Sequence, residues 1–280
     1  MLRERVSNNI FVFTSELYAQ VTCGAILTPA GAILVDTMPY LSEAEAIARF
    51  IQERRGVPVR YIVYTHYHAD HVYGACAFKE AHVAAHHLCR RLLDTRGREA
   101  LAAARRTSKE MALVELVLPD IVFDQGVVNL HLGDTTLSIW HAPGHSPDSI
   151  LCLEDEEHIL FASDTLMPVP FFRDGSWEDY VATLESLKDQ AFESVVQGHG
   201  EVILRGEAPE KIQSDLDYLH KLRDRVEAVV ERGLGPEALD EISIEDCGKS
   251  RIPLNGLVQQ LHISNARALY QRLKDGVRRL

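Results

Sequence analysis

Apolar residues in the first third of the chain fall into short, β-branched runs separated by turn signals. Ile10–Phe13, Ala19–Leu27 and Ala32–Asp36 read as strands, with Pro29-Ala30-Gly31 as the hairpin turn before the third. The period then lengthens, and Ser42–Arg54 predicts an amphipathic helix. A capping box of Ser42 with Glu45 would open it, and Gly56 and Pro58 would end it. A buried strand is expected over Val59–Tyr64, a short helix over about Val72–Glu80, and a strand over His82–Ala85. From His86 to about Leu118 the pattern turns helical and charged, with a break at Thr95–Gly97, as in an inserted helical pair.

Short strands return at Ile121–Phe123, Thr136–His141, Ile150–Leu153 and Ile159–Ala162. Trp177–Asp189 predicts a helix capped by Ser176, and Ser194–Gln197 a last buried strand. After Pro209 the character changes. Glu210–Arg232 reads as one long amphipathic helix, Gly233-Leu234-Gly235-Pro236 breaks it, and Asn265–Lys274 is expected as a terminal helix capped by Ser264. Strands alternating with helices indicate an α/β domain over residues 1–205, followed by a helical extension over 206–280. The stripe Leu216, Leu219, Leu222 and Val226 can face either that domain or a second subunit, so a homodimer stays open.

Composition narrows the function classes. With 46% hydrophobic residues, 280 positions fill a sizeable core, and no apolar run is long enough to span a bilayer. Met1-Leu2-Arg3-Glu4-Arg5 is followed by no signal-type apolar segment, so a cytoplasmic location and no membrane partner are expected. Five scattered cysteines without a C-x-x-C pair indicate neither a disulfide framework nor a thiolate zinc site. A net charge of −12 with no long basic run argues against nucleic acid and leaves a small molecule as the partner.

The chemistry concentrates at Tyr64-Thr65-His66-Tyr67-His68-Ala69-Asp70-His71, where four metal-capable side chains follow a strand directly. His66 and His68, two apart in extended chain, point the same way; Asp70 and His71 lie past the turn and face elsewhere. One motif thus offers ligands to two ions. His145, Asp164 and His199 also follow strands, with Gly144, Gly198 and Gly200 letting backbone approach closely. Five histidines and two aspartates at strand ends can coordinate two divalent ions, zinc first and iron or manganese as alternatives, with one carboxylate bridging. The remaining histidines, His82, His86, His87, His131, His141, His158, His220 and His262, read as surface or satisfied core residues.

The run His66-x-His68-x-Asp70-His71, then His145 in G-H-S-P, Asp164, and His199 in G-H-G, resembles the metallo-β-lactamase superfamily over about residues 8–205. The resemblance implies an αββα sandwich of two facing mixed β-sheets flanked by helices, with metals at one edge. It assigns His66, His68 and His145 to the first metal, Asp70, His71 and His199 to the second, and Asp164 to both. Ser163 before the bridging aspartate and Asp148 after the third histidine's proline stand where the family usually has glycine.

The expected activity is hydrolysis of a thioester or lactone by a water activated between two metals, with Asp70 or Asp164 handling the proton. β-Lactamases of the family typically lack the bridging carboxylate, and its nucleases carry a basic arm absent here. The full ligand set with a helical extension is closest to hydroxyacylglutathione hydrolases and lactonases. Glu201 and Met167 stand where those two groups, respectively, commonly have tyrosine. Met167, Phe171, Phe172, Arg173 and Trp177 are candidates for binding substrate, and the 86–118 insertion for a lid. An iron enzyme oxidising persulfides and a non-catalytic assembly protein are the readings from other classes.

Overall fold

The structure is a computed structural model that describes the backbone of residues 1–277 and the side chains of residues 1–275. Seven strands form the first sheet, in chain order: β1 (Leu2–Arg5), β2 (Ile10–Thr14), β3 (Thr22–Thr28), β4 (Gly31–Val35), β5 (Val59–Val63), β6 (His82–His86) and β7 (Ile121–Phe123). The first four are antiparallel; β4 to β7 run parallel. Between parallel neighbours come α1 (Leu41–Arg55), α2 (Ala69–Val72), and α3 (His87–Leu92) with α4 (Arg98–Thr107). That is the crossover a parallel pair requires.

The second sheet has six strands in the order β13-β12-β11-β10-β9-β8: β8 (Val127–Leu132), β9 (Thr135–His141), β10 (Ile150–Glu154), β11 (Ile159–Ser163), β12 (Ser194–Gln197) and β13 (Ile203–Leu204). Only β11 and β12 pair in parallel, and α5 (Trp177–Leu187) crosses between them. Two long helices follow, α6 (Ala208–Glu231) and α7 (Leu257–Val277).

Alternation along the strands sorts side chains into three apolar layers. Between the sheets lie Ile10, Val12, Ile33, Val63, Ile139, Ile150 and Phe161. Here a Cβ on Gly24 would stand 2.2 Å from the Phe161 ring, so a residue without a side chain lets the sheets close. The outer face of the first sheet packs on α1 and the 86–118 insertion through Leu34, Ile47, Ile62, Leu93 and Leu101. The outer face of the second packs on α5, α6 and α7 through Leu151, Leu160, Leu184, Leu219 and Leu269. The αββα sandwich expected from the sequence is therefore what forms, and Leu216, Leu219, Leu222 and Val226 lie buried within the chain's own core.

Local chemistry overrides several expectations. Ala19 and Gln20 take left-handed backbone (φ 43 and 52), so the strand begins at Thr22. Helix α1 begins at Leu41 after Tyr40 with no side-chain cap; neighbouring Glu43 turns inward and accepts from Ser15 Oγ at 2.9 Å. The helix after the histidine motif starts earlier than expected, at Ala69, and continues as a 3-10 turn over Tyr73–Ala77. Thr95–Gly97 is no break, because a π-turn over Leu93–Gly97 carries α3 into α4. Ser176 does cap α5, accepting from Asp179 N at 3.2 Å. Ser264 lies inside α7, which starts at Leu257. Strand β8 alternates exposed and half-buried residues and hides its period behind Asn129 and His131. Strands β1 and β13 were likewise unforeseen.

Candidate metal centre

Four strand ends and one bridge between sheets build the centre. Backbone leaves β5 and bends through Thr65–Tyr67 rather than staying extended, still bringing His66 and His68 to one group of ligands, then winds into α2, which carries Asp70 and His71. His145 sits on the loop between β9 and β10, Asp164 directly after β11, and His199 after β12. An isolated bridge pairs Val21 with His199, and Thr22 N donates to Gly198 O at 2.9 Å, so the two sheets are joined at this edge. Glycine is required at position 198 because a Cβ there would stand 1.8 Å from Asp164 Oδ1.

The seven side chains gather into two groups, His66, His68, His145 and Asp164 in one, and Asp70, His71 and His199 in the other. Within each group one ligand atom per residue lies within 4.8 Å of the rest. Asp164 faces both. Its Oδ2 is 3.3 Å from His145 Nε2 and 4.0 Å from His66 Nε2, while its Oδ1 is 3.2 Å from His71 Nε2 and 3.5 Å from His199 Nε2. Asp70 Oδ2 stands 3.5 Å from His199 Nε2. His68 presents Nδ1, 2.9 Å from His145 Nε2.

A second layer aims these rings. His71 Nδ1 donates to Asp36 Oδ2 at 2.8 Å, His145 Nδ1 to Phe171 O at 2.7 Å, and His199 Nδ1 to Ala19 O at 2.9 Å. His68 Nε2 is 3.4 Å from Asp174 Oδ2, a carboxylate also bound by the Tyr67 hydroxyl and by Arg96, 2.8 Å away. Each of these rings thus has its outward nitrogen committed and its inward nitrogen turned to the centre, the orientation metal-binding imidazoles need. Tyr180 O–H donates to Asp164 O at 2.8 Å and fixes the backbone of the shared carboxylate.

The centre fits a cation on its own geometry. His66 Nε2, His71 Nε2 and Asp164 Oδ1 are buried and have no hydrogen-bond partner, a costly arrangement unless another group satisfies them. Burial also holds His66 neutral, well below the usual imidazole range, and lowers His145 to about 4, so both keep a lone pair for a metal. Burial opposes charge on His71 and His199 as well, but there Asp164 and its acidic neighbours prevail and push both up. For Asp164, burial is outweighed by His199, His71 and His145, which hold its carboxyl well below the ordinary range. Divalent metal ions are compatible with this donor set.

Of the residues expected to bind substrate, Met167 and Phe171 line the cleft over the metal centre, whose volume is about 170 Å³. Phe172 and Trp177 do not; both turn into the core, and Trp177 Nε1 donates to Leu219 O at 3.0 Å. Arg173 lines a separate groove with Gln260 and Arg267. The sequence reading missed Tyr18 and the leucines Leu254, Leu257 and Leu261, which complete the cleft wall from the C-terminal helices. Tyr18 is held protonated, its pKa raised to about 12 chiefly by Asp70. Its only sequence signal is a position just before the first strand of the bridge.

The family model for the metallo-beta-lactamase superfamily matches residues 18–199. The chain is 26% identical over 206 residues to a beta-lactamase-like protein 2 homolog of Caenorhabditis elegans, covering 69% of this chain and 60% of that one. It is 31% identical over 157 residues to the acyl-coenzyme A thioesterase MBLAC2 of Gallus gallus, covering 49% and 55% respectively. The matched part thus spans a little over half the length of these relatives. Among solved structures, the sec-alkylsulfatase Pisa1 from Pseudomonas sp. superposes with a TM-score of 0.75 at 16% identity, over 96% of this chain and 50% of that one. A metallo-beta-lactamase from Pontibacter korlensis gives 0.65 at 18% identity, over 78% and 98%.

Proposed function

Since the chain belongs to the metallo-beta-lactamase superfamily, we propose that it is a hydrolase holding two divalent ions, zinc by preference, and cleaving thioesters of apolar acyl groups, with lactones as the second ester-like class. The observation that carries this reading is the carboxylate of Asp164, whose two oxygens face two separate groups of ligands. His66, His68 and His145 would hold one ion, Asp70, His71 and His199 the other, and Asp164 would serve both. When bound, such ions lower the pKa of water toward neutrality and polarise a carbonyl oxygen.

The rest falls to the chain's own side chains. Met167, Phe171, Leu254, Leu257 and Leu261 offer the acyl group an apolar wall. Asp70, half-buried at the cleft, would take the proton of the attacking water. Tyr18 keeps its proton and can donate a hydrogen bond to the substrate from the rim. Supporting the thioester class is the likeness to relatives named as thioesterases, MBLAC2 and the atrochrysone carboxyl ACP thioesterase of Aspergillus fumigatus.

The test is a substrate panel. Zinc-loaded protein is assayed on acyl thioesters of increasing chain length, a lactone, an alkyl sulfate, a β-lactam and a phosphodiester, each beside a chelated control. Chelator-sensitive thioester turnover that rises with acyl length is expected. Turnover confined to the sulfate ester, the β-lactam or the phosphodiester would replace this substrate class.

A further inference from the structure

The next two strands along the same sheet edge end in a second cluster of ligand-type side chains. His86 closes β6, His87 opens α3, and Asp124 follows β7; one ligand atom of each lies within 4.8 Å of the others. His86 is buried, 2% exposed, and its Nε2 is 3.0 Å from the carbonyl oxygen of Asp124. A carbonyl only accepts, so the proton sits on Nε2, and Nδ1 is left as a bare lone pair. That Nδ1 is buried and has no hydrogen-bond partner. Burial also lowers the pKa of His86, which keeps the ring neutral. His141 stacks on it with ring centroids 4.1 Å apart and planes 2° from parallel, fixing the ring's orientation.

His87 repeats the pattern. Its Nδ1 is buried without a hydrogen-bond partner although Asp124 Oδ1 is 3.1 Å away, close enough for both to face one ion. The Asp124 carboxylate is 68% exposed, so the cluster opens to solvent on one side. Two buried imidazole nitrogens without hydrogen-bond partners are costly, and a cation held between them and the Asp124 carboxylate satisfies both.

We propose that His86, His87 and Asp124 form a further metal site, separate from the catalytic cluster, for a borderline divalent cation such as zinc, with water completing the coordination. Two imidazoles and one carboxylate are a donor set for zinc-like ions; magnesium and calcium prefer all-oxygen surroundings. The ion would tie the first residue of α3 to the connection between β7 and β8. It would thereby anchor the insertion that carries Arg96 to Asp174 beside the catalytic cluster.

The test is metal counting by equilibrium dialysis of the chelated full chain against zinc, for the wild type, His87→Asn and Asp124→Asn. Asp124 is exposed and His87 half-buried, so the variants are expected to fold, which circular dichroism checks. Each variant should bind one zinc fewer per chain than the wild type at a zinc concentration that just saturates the latter. Affinity at this site should fall at least about tenfold. Equal zinc counts in wild type and both variants would overturn the site, whatever the catalytic cluster holds. Filling of the same site by magnesium as readily as by zinc would overturn the assignment of its donors.

Discussion

Besides Ala19 and Gln20, the non-glycine residues Asp36 (φ 61), Met38 (φ 75) and Ser163 (φ 44) hold left-handed backbone around the metal centre. Each such conformation costs on the order of 1 kcal/mol and persists only where the surroundings enforce it. For Ser163 the surroundings are visible: its hydroxyl donates to Asp36 Oδ2 at 3.1 Å and lies 2.7 Å from Thr65 Oγ1. Replacing it by glycine, usual here in the family, removes strain and hydrogen bonds together. Ser163→Gly should therefore change unfolding free energy by less than about 1 kcal/mol in denaturant. Asp36 is different, because it orients His71 and also accepts from Thr65 N at 2.9 Å. Asp36→Ala should weaken metal binding about 10- to 100-fold in a competition titration, with little change in secondary structure. Residue by residue, the converging metal-type side chains were legible because each lies within a few positions of a strand end. Asp36, Asp174 and Tyr18 were not: their partners at the centre are distant in sequence, and a lone acid or tyrosine carries no local pattern.

The C-terminal helices act on the site as elements. Asn265 on α7, fully buried, donates to Pro170 O at 2.6 Å and accepts from Phe172 N at 3.1 Å, while Lys211 on α6 donates to Met167 O at 2.7 Å. The segment after Asp164 is thus clamped from outside the sandwich. Asn265→Ala should cost about 1–3 kcal/mol of stability by leaving these groups unpaired, and should lower kcat/KM by loosening Phe171. Lys211 also pairs with Asp215, which Lys249 reaches at 2.7 Å. Burial of its ammonium lowers its pKa from 10.5 to about 8 despite Asp215. The folded chain therefore releases this proton before the unfolded chain does. In the window between the folded and unfolded pKa values the unfolded state binds more protons, and this group makes stability rise with pH. Denaturation of wild type and Lys211→Met across that window should show the rise in the wild type and its loss in the variant. The helices themselves were legible from their apolar stripes. The start of α7 was not, because Ser264 followed by a polar residue looks like a cap when its burial is unknown.

At the scale of the molecule, two mixed sheets meet at one edge, and metal-type ligands come from both. The first sheet brings His66, His68, Asp70 and His71, and the second brings His145, Asp164 and His199. Period and turn signals were enough to read most strands of that sandwich, the edge strand β7 included, but not β1, β8 and β13, which are short or largely exposed so that the alternation fades. The C-terminal helices close the cleft with Leu257 and Leu261, both half-buried. Leu257→Ala with Leu261→Ala should raise KM for long acyl thioesters about thirtyfold while metal content stays unchanged, each lost side chain removing on the order of 1 kcal/mol of apolar contact. Among the described residues no helix is long and apolar enough to cross a membrane. The most direct test of the account is a zinc titration of the metal-free chain, following hydrolysis of an acyl thioester, for the wild type and Asp164→Asn. Activity should start at zero, climb to a plateau as zinc fills the wild-type cluster, and fall by at least about a hundredfold in the variant. Full turnover by the metal-free chain, or a wild-type plateau in Asp164→Asn, would contradict it.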